Sequence, residues 1–519
     1  MGISDLGSLP GMRVRRLVFW ALLLAPVFLS FKILNLDIKT LVSGFPYAVS
    51  LIREMFPPDF SGWRRIIFLG AETICMAISG TFLGIMLSIP LGFLSARNTT
   101  PNKYVYRLSR SFVSLMRSIP EILYALIFVV SLGMGPVAGI MALTAGTMGL
   151  LSKFYAEAVE SIDPHPIEAV RATGACSLSV IRHAIFPQVL PLFMGYNLYL
   201  LDHNIRVAMA IGIVGAGGLG IELFTQMRAF QYQKVAAILI VVLLLVSFID
   251  RLSAYLRKAI TEGRLLGANT SAKDLLLSAA LAAITISAFY FFPVSLAEVF
   301  KGVPSIVNFI SQAFPPDLSD LALYTKLMTE TAAIGICATF LAIVMSVPLG
   351  LFTARNITHN SFLYNIAKEI TNFFRAMPEL VFALVFVAAV GLGPLAGVLA
   401  ISLHTAGFLG KFYAEAIEHV DPNPVEAVEA TGARFSQRIG HSIFPMVLPL
   451  FNSYNLLLLD RNIRASTVMG IVGAGGIGFE LIMNARLFEH RKTCTIIIII
   501  LLTILAVEWV SSHVRKRVV

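Results

Sequence analysis

Two short runs, Asp202-His203-Asn204-Ile205-Arg206 and Asp460-Arg461-Asn462-Ile463-Arg464, place ionisable and amide side chains inside long apolar stretches. Such residues are costly in hydrocarbon and default to functional hypotheses. Asp and Arg four residues apart share one helix face and can pair. If the helix starts near Ile185, Asp202 lies about 25 Å along it at a rise of about 1.5 Å per residue, towards the outer leaflet. Two readings fit. Arg206 and Arg464 help pass an anion, because a guanidinium suits phosphate-like oxygens, or each pair is a buried lock between helices. Glu121 and Glu379 follow prolines in apolar segments, with Arg117 and Arg375 four residues earlier. They read as a clasp across a proline kink or as a gate. Asp202, Asn204, Arg206, Asp460, Asn462, Arg464, Glu121 and Glu379 are therefore the candidate pathway or gate residues. Glu72 and Glu330 read as interfacial, and Lys153 and Lys411 as snorkelling side chains.

Other chemistries are poorly served. Gly215-Ala216-Gly217-Gly218-Leu219-Gly220 matches GxGxxG, but a dinucleotide site requires a preceding strand in a βαβ unit. Here an apolar helix precedes it, so the run reads as a tight turn with close helix packing. The chain has no GxxxxGK[ST], no HExxH and no clustered Asp ligands. Cys75, Cys176, Cys337 and Cys494 are scattered without metal or disulfide spacing and read as apolar fillers. No catalytic residue, metal site or cofactor of its own is expected.

A polar loop carries the second constellation. Asp163-Pro164-His165-Pro166-Ile167-Glu168-Ala169-Val170-Arg171-Ala172-Thr173-Gly174 continues to Ile185-Phe186-Pro187, and Asp421 to Gly432 with Ile443-Phe444-Pro445 repeats it. Asp163 suits a helix N-cap and Pro164 the first helical position. Glu168 lies near the positive end of the dipole. Gly174 stops the helix and admits a close backbone neighbour. A short exposed helix present twice has the shape of a docking element.

These residues need a frame. The chain has 519 residues, 57% hydrophobic and 13% charged, with mean hydropathy +0.80. Soluble chains are about 25% charged, so a soluble enzyme and a disordered chain are excluded. The net charge of +10 comes from basic clusters between apolar runs, the pattern of membrane orientation signals, and no nucleic-acid partner is expected. The basic N-terminus with its apolar run from Leu17 to Phe31 imitates a signal peptide. The run is long and recurs from Leu275 to Pro293, so both are expected as retained spans.

The chain is one unit written twice. Phe56-Pro57-Pro58-Asp59 recurs at Phe314 to Asp317, Lys153 to Ala158 at Lys411 to Ala416, and Gly212 to Gly220 at Gly470 to Gly478, each 258 residues later. The expected domains are 1–258 and 259–519, each a six-span repeat with its loop near 163–187 or 421–445. Spans are expected near 17–34, 66–95, 111–131, 137–158, 184–211 and 235–256, and again 258 later. Basic residues place the N-terminus and the segments 97–110, 171–182 and 257–273 on the cytoplasmic side, against which Arg53, Arg64 and Arg65 fit poorly. An even number of spans gives both copies one orientation, a parallel repeat with two equivalent half-bundles facing one pathway. The segment 35–65, broken by Pro46, Pro57 and Pro58, is expected at the outer interface. The fold class is all-α integral membrane, with about twelve spans of about 20 residues each.

The loop spacing resembles the EAA loop of ABC importer permeases. Glu168, Ala169, Gly174 and Pro187 fall in register, as do Glu426, Ala427, Gly432 and Pro445. Ala184 and Ser442 replace the usual Ile, and Phe186 and Phe444 the usual Leu. Arg117-Ser118-Ile119-Pro120-Glu121, Gly133-Met134-Gly135-Pro136, Lys153 to Glu157, Asn204-Ile205-Arg206 and Gly215 to Gly218 extend the resemblance to the phosphonate-type subfamily, over roughly 200 residues of each copy. It implies a MetI-like architecture with two permease units fused. It implies that the eight loop residues couple the spans to an ATPase, which holds ATP and Mg. It implies two ATPase copies per chain, an extracytoplasmic phosphonate- or phosphate-binding protein, and a bacterial inner-membrane location with both termini cytoplasmic. The implied function is import of phosphonate, phosphate or phosphite by alternating access. The competing function is an ion-coupled secondary transporter of a small anion, which explains the repeat and the charges but not two docking loops.

Overall fold

A computed structural model describes residues 25–35, 38–262, 283, 285–288, 290–291 and 296–518. Among them the chain is helical, with no strand. The first copy comprises α1 (Ala25–Leu34), α2 (Ile38–Glu54), α3 (Trp63–Ser95), α4 (Lys103–Ser118), α5 (Glu121–Leu132), α6 (Pro136–Glu160), α7 (His165–Ala172), α8 (Ser177–Val180), α9 (Phe186–Ile211), α10 (Gly218–Arg228) and α11 (Tyr232–Thr261). The second copy repeats this order from Leu296–Ala313, the counterpart of α2, to His490–Val518, the counterpart of α11.

Among the described residues, eight helices are long and apolar enough to cross a membrane, or ten if each of two bent pairs is one span. The expected spans 66–95, 137–158, 184–211 and 235–256 are realised by α3, α6, the helix Ser177–Ala216 and Tyr232–Ile260, with similar spans in the second copy. Of the expected spans that complete the dozen, 17–34 is described over 25–34, where it forms the short apolar helix α1, and 275–292 lies largely outside the described residues. Helix Ser177–Ala216 contains a π turn at Ile181–Ile185. Pro187 follows that turn and has no N–H to donate.

The expected third span, 111–131, is not one helix. α4 and α5 meet at 86°, and their counterparts Ser361–Ala376 and Glu379–Val390 at 93°. A residue before proline is driven out of the helical region by the ring. Ile119 sits at φ −85°, ψ 120° and Met377 at φ −76°, ψ 123°. Arg117 and Glu121 are therefore on different helices. A clasp between them spans the bend itself, from the last turn of α4 to the first residue of α5.

Close helix contact in lipid depends on small residues, because hydrocarbon supplies no hydrophobic drive between helices. Gly80, Gly84, Ser88 and Gly92 form a stripe at four-residue spacing on α3. A Cβ on Gly80, Gly84 or Gly92 would lie within 2.6 Å of side-chain atoms of Leu143, Thr147 or Tyr155 on α6. Ala338, Ala342, Ser346 and Gly350 form the matching buried stripe in the second copy. Asn204 of α9 closes this contact by donating to Thr81 Oγ1 at 2.8 Å and Thr147 Oγ1 at 2.7 Å. Asn462 repeats the knot with Thr339 and Thr405, both at 2.8 Å. Towards the loop end, Tyr155 stacks on Phe193 and Tyr413 on Phe451, each with centroids 3.8 Å apart.

The chain forms two compact units, and their limits are not those of the sequence period. Of the described residues, one unit joins those up to Arg53 to those from Ala313 onward; the other takes those from Glu54 to Gln312. In the first of these, Phe31 meets Phe340 edge-on at 6.1 Å. A Cβ on Gly44 of α2 would lie 3.3 Å from Val390. The period at 258 marks where one copy of the sequence ends. Apolar packing decides which helices share a core.

Gly84→Val forces side-chain atoms into Thr147. Overpacking of this kind costs about 1–3 kcal/mol. A clear fall in the thermal unfolding midpoint of the detergent-purified chain is expected. An unchanged midpoint would show that the α3–α6 contact is looser than the glycines imply.

Candidate functional site

The loop helix forms in both copies. In the second, Asp421 caps Pro422–Glu429 by accepting from the Asn423 N–H at 3.0 Å. In the first, α7 begins one residue later than expected, yet Asp163 accepts from the His165 N–H at 3.0 Å. Gly174 and Gly432 end the helices at φ +79° and +78°, a backbone region open to glycine. A Cβ at either would meet nothing within 4 Å. Close approach of another part of this chain is therefore not why glycine stands there.

Each helix has one anchored side and one bare side. Ile167 is buried in the apolar cluster with Val159, Val180 and Ile185. Val425 packs on the equivalent cluster with Ile417 and Ile443. Glu168, Ala169, Gly174 and Pro187 are exposed, as are Glu426, Ala427, Gly432 and Pro445. The copies differ in charge: Glu429 pairs with Arg438, where the first copy has Arg171 and Val180.

The intramembrane charges fall into three groups. In the first, Arg206 pairs with Asp202 on its own helix and with Asp250 of α11 at 3.2 Å. Arg464 pairs with Asp460 at 2.7 Å. Sequence reading missed Asp250, which carries the pair across to a second helix. Asn204 and Asn462, expected with the pathway residues, lie only 2% and 1% exposed in the threonine knots.

The second group concerns Glu72 and Glu330, read from sequence as interfacial. The structure corrects this. Glu72 is buried, and its Oε1 accepts from the Gly218 N–H at 3.1 Å, while Thr73 Oγ1 accepts from Leu219 N–H at 2.9 Å. Glu330 and Thr331 hold Gly476 and Ile477 at 3.1 and 2.8 Å. A carboxylate placed on unpaired N–H groups at a helix start is favourable. Gly215, Gly217 and Gly218 all have positive φ, so the glycine-rich run is a turn clamped by α3. The Gly135 N–H adds a bond to the Gly215 carbonyl at 3.0 Å. Nearby, Arg65, which fitted the charge rule poorly, pairs with Glu222 at 2.8 Å.

The third group is built on the proline bends. Glu121 begins α5 and lies 3.7 Å from His203 Nε2. Glu379 lies 4.0 Å from both His404 and Arg461. His203, His404 and Arg461 were also missed. Comparing the copies position by position is the signal that finds them: Gly146 becomes His404 and His203 becomes Arg461, both inside spans. Among the described residues, no group of three or more His, Cys, Asp or Glu could hold a metal ion.

Removing one partner from a buried charge network costs about 3–5 kcal/mol, whereas removing all its charges together is often neutral. Arg206→Met is therefore expected to lower the thermal midpoint sharply, and the triple change Arg206→Met, Asp202→Asn, Asp250→Asn to restore most of it. A stable single variant would exclude the helix lock.

Residues 88–262 and 346–519 each match the family described as binding-protein-dependent transport system inner membrane component. The chain is 35% identical over 485 residues to the phosphate-import permease protein PhnE of Mycolicibacterium smegmatis, covering 92% of this chain and 90% of that one. It is 42% identical over 223 residues to the phosphite transport system permease protein PtxC of Stutzerimonas stutzeri, covering 43% of this chain and 81% of that one. It is 29% identical over 199 residues to the probable D-methionine transport system permease protein MetI of Haemophilus influenzae, covering 36% of this chain and 93% of that one. The chain belongs to the binding-protein-dependent transport system inner membrane components: it is an integral-membrane ABC importer permease of the phosphonate type, with two MetI-like units in tandem.

Proposed function

We propose that this chain imports a phosphorus oxyanion, phosphate, phosphonate or phosphite, into the cytoplasm by alternating access. Closure of an ATPase on the two loop helices drives the change. The observation that carries the coupling role is the pair of short helices, each pinned by apolar side chains (Ile167 and Val170, or Val425) and exposed at every position of its EAA pattern. A pinned helix transmits a push to the spans it continues into, because packed interiors are stiff. The substrate class rests on the relatives named for phosphate and phosphite.

In this reading each loop helix seats one ATPase subunit, which holds ATP and Mg. An extracytoplasmic binding protein delivers the anion to the opposite face. The loops and both termini lie in the cytoplasm of a bacterial cell, and the spans in its inner membrane. Glu168 and Glu426 present carboxylates to the ATPase. Ala169 and Ala427 keep the contact face low. Gly174 and Gly432 set the exit turn, and Pro187 and Pro445 the start of the span.

Affinity purification of the chain from native membranes is expected to bring down an ATPase, one copy per loop helix. Truncating interface anchors costs about 2 kcal/mol or more. The variant Glu168→Ala with Glu426→Ala is thus expected to lose about tenfold or more of the bound ATPase and of phosphate uptake, with the chain still in the membrane. Retention of ATPase and uptake would exclude these glutamates as anchors. Uptake that survives ATP depletion would support an ion-coupled carrier.

A further inference from the structure

Most intramembrane features of the first copy have a counterpart in the second: the asparagine knot, the clamped glycine turn, the stacked tyrosine and the Asp–Arg pair. One cluster does not. The first copy has Glu121, Gly146 and His203 at the proline bend; the second has Glu379, His404 and Arg461.

The second-copy cluster fixes a cation. His404 is 3% exposed. Its Nδ1 lies 2.9 Å from the Met377 carbonyl oxygen, so that nitrogen carries the proton and donates. Arg461 Nη2 lies 2.9 Å from His404 Nε2, so Nε2 accepts. The two contacts together require neutral His404 and make it a prop for the guanidinium. The guanidinium carbon also sits 4.7 Å from the Phe408 ring centroid, a cation–π distance. Among the described residues, the only carboxylate within 4.0 Å of Arg461 is Glu379, at 4.0 Å.

Arg206 and Arg464 are different. Their guanidiniums are held at hydrogen-bonding distance by carboxylates. Arg461 is held by a neutral acceptor and an aromatic face, so its charge is not cancelled at contact. Its side chain is 31% exposed. A guanidinium at this depth does not face lipid; it faces protein or a water-filled path. Its planar fork matches the oxygens of a tetrahedral oxyanion.

We infer that Arg461, positioned by His404 and Phe408, contacts the transported oxyanion, and that the second copy alone supplies this cation. At the same position the first copy presents His203 against Glu121. This rests on the proposed phosphorus-oxyanion substrate. Glu379 then competes with the anion for Arg461.

The test is uptake of radiolabelled inorganic phosphate, with phosphite and methylphosphonate as competitors. It uses cells in which the full chain and its native partner proteins form the sole phosphate route. Chain abundance and bound ATPase are measured alongside. Losing a hydrogen bond to a charged group weakens binding about tenfold or more. Arg461→His, which installs the first-copy residue, is therefore expected to raise KM for phosphate about tenfold or more at normal abundance. Arg461→Lys, which keeps the charge but loses the fork, is expected between that variant and wild type. Glu379→Gln removes the competing carboxylate and is expected to lower KM. A wild-type KM in Arg461→His overturns the inference. Equal losses of rate with unchanged KM in Arg461→His and Glu379→Gln also overturn it, because they mark a structural ion pair. Failure of the wild-type chain to take up any of the three anions overturns the substrate reading, and this inference with it. Normal wild-type uptake with an unaffected Arg461→His overturns this inference alone.

Discussion

The near-backbone approach of α3 and α6 is the constraint from which the rest of each permease unit follows. Gly80, Gly84 and Gly92 remove the side chains that would hold the helices apart. Short-range dispersion is the main attraction available between apolar helices in lipid. The approach brings Thr81 and Thr147 within reach of one amide, and Asn204 bridges them. That bond sets the depth and rotation of α9. Since α9 also carries Asp202, His203 and Arg206, a glycine stripe on one pair of helices determines where the charges of a third can go. The second copy obtains the same arrangement with Ala338, Ala342, Ser346 and Gly350, and with Asn462 as the bridge.

Polar groups in the spans follow one rule with different outcomes. A polar group in hydrocarbon without a partner costs several kcal/mol, and the charged and amide side chains named above each have one. Asn204 finds threonines, Arg206 finds two carboxylates, and Glu72 finds the first N–H group of α10. These arrangements fix helices in place. Arg461 receives a histidine and an aromatic ring that orient it, with its carboxylate, Glu379, held off at 4.0 Å. That distinction separates a lock from a contact site more sharply than the presence of charge does.

The loop helices sit at the other end of the same chain of contacts. α6 leads into the loop, and its Val159 joins Ile167 of α7 in one apolar cluster with Ile185. At the exit of α6, Glu160 accepts from the Arg97 N–H at 2.9 Å, which ties in the loop after α3. The loop helix is thereby tied to α3, α6 and α9 together. The proline bend between α4 and α5 lies against α6 at Gly149, where a Cβ would sit 2.9 Å from the Arg117 nitrogen. Bend, knot and loop therefore belong to one packed body in each unit.

Much of this was legible in the sequence because it is set locally. Hydropathy places spans wherever the solvent is lipid. The offset of 258 residues exposes the duplication. An aspartate before a proline starts a short helix, and a glycine with positive φ ends it. Even the bend at Pro120 was marked, although its size, 86°, was not, because a kinked helix and a broken one share the same residue pair. Partners were a different matter. Arg206 meets Asp250 across 44 residues, Arg461 meets His404 across 57, Asn204 meets Thr81 across 123, and Glu72 meets Gly218 across 146. Nothing in the local chain states which helix faces will touch. Tertiary structure decided that through the fit of small residues and the pairing of charged and amide groups away from water. It thereby determined which intramembrane charges meet a carboxylate at hydrogen-bonding distance and which one, Arg461, meets a histidine and an aromatic ring instead.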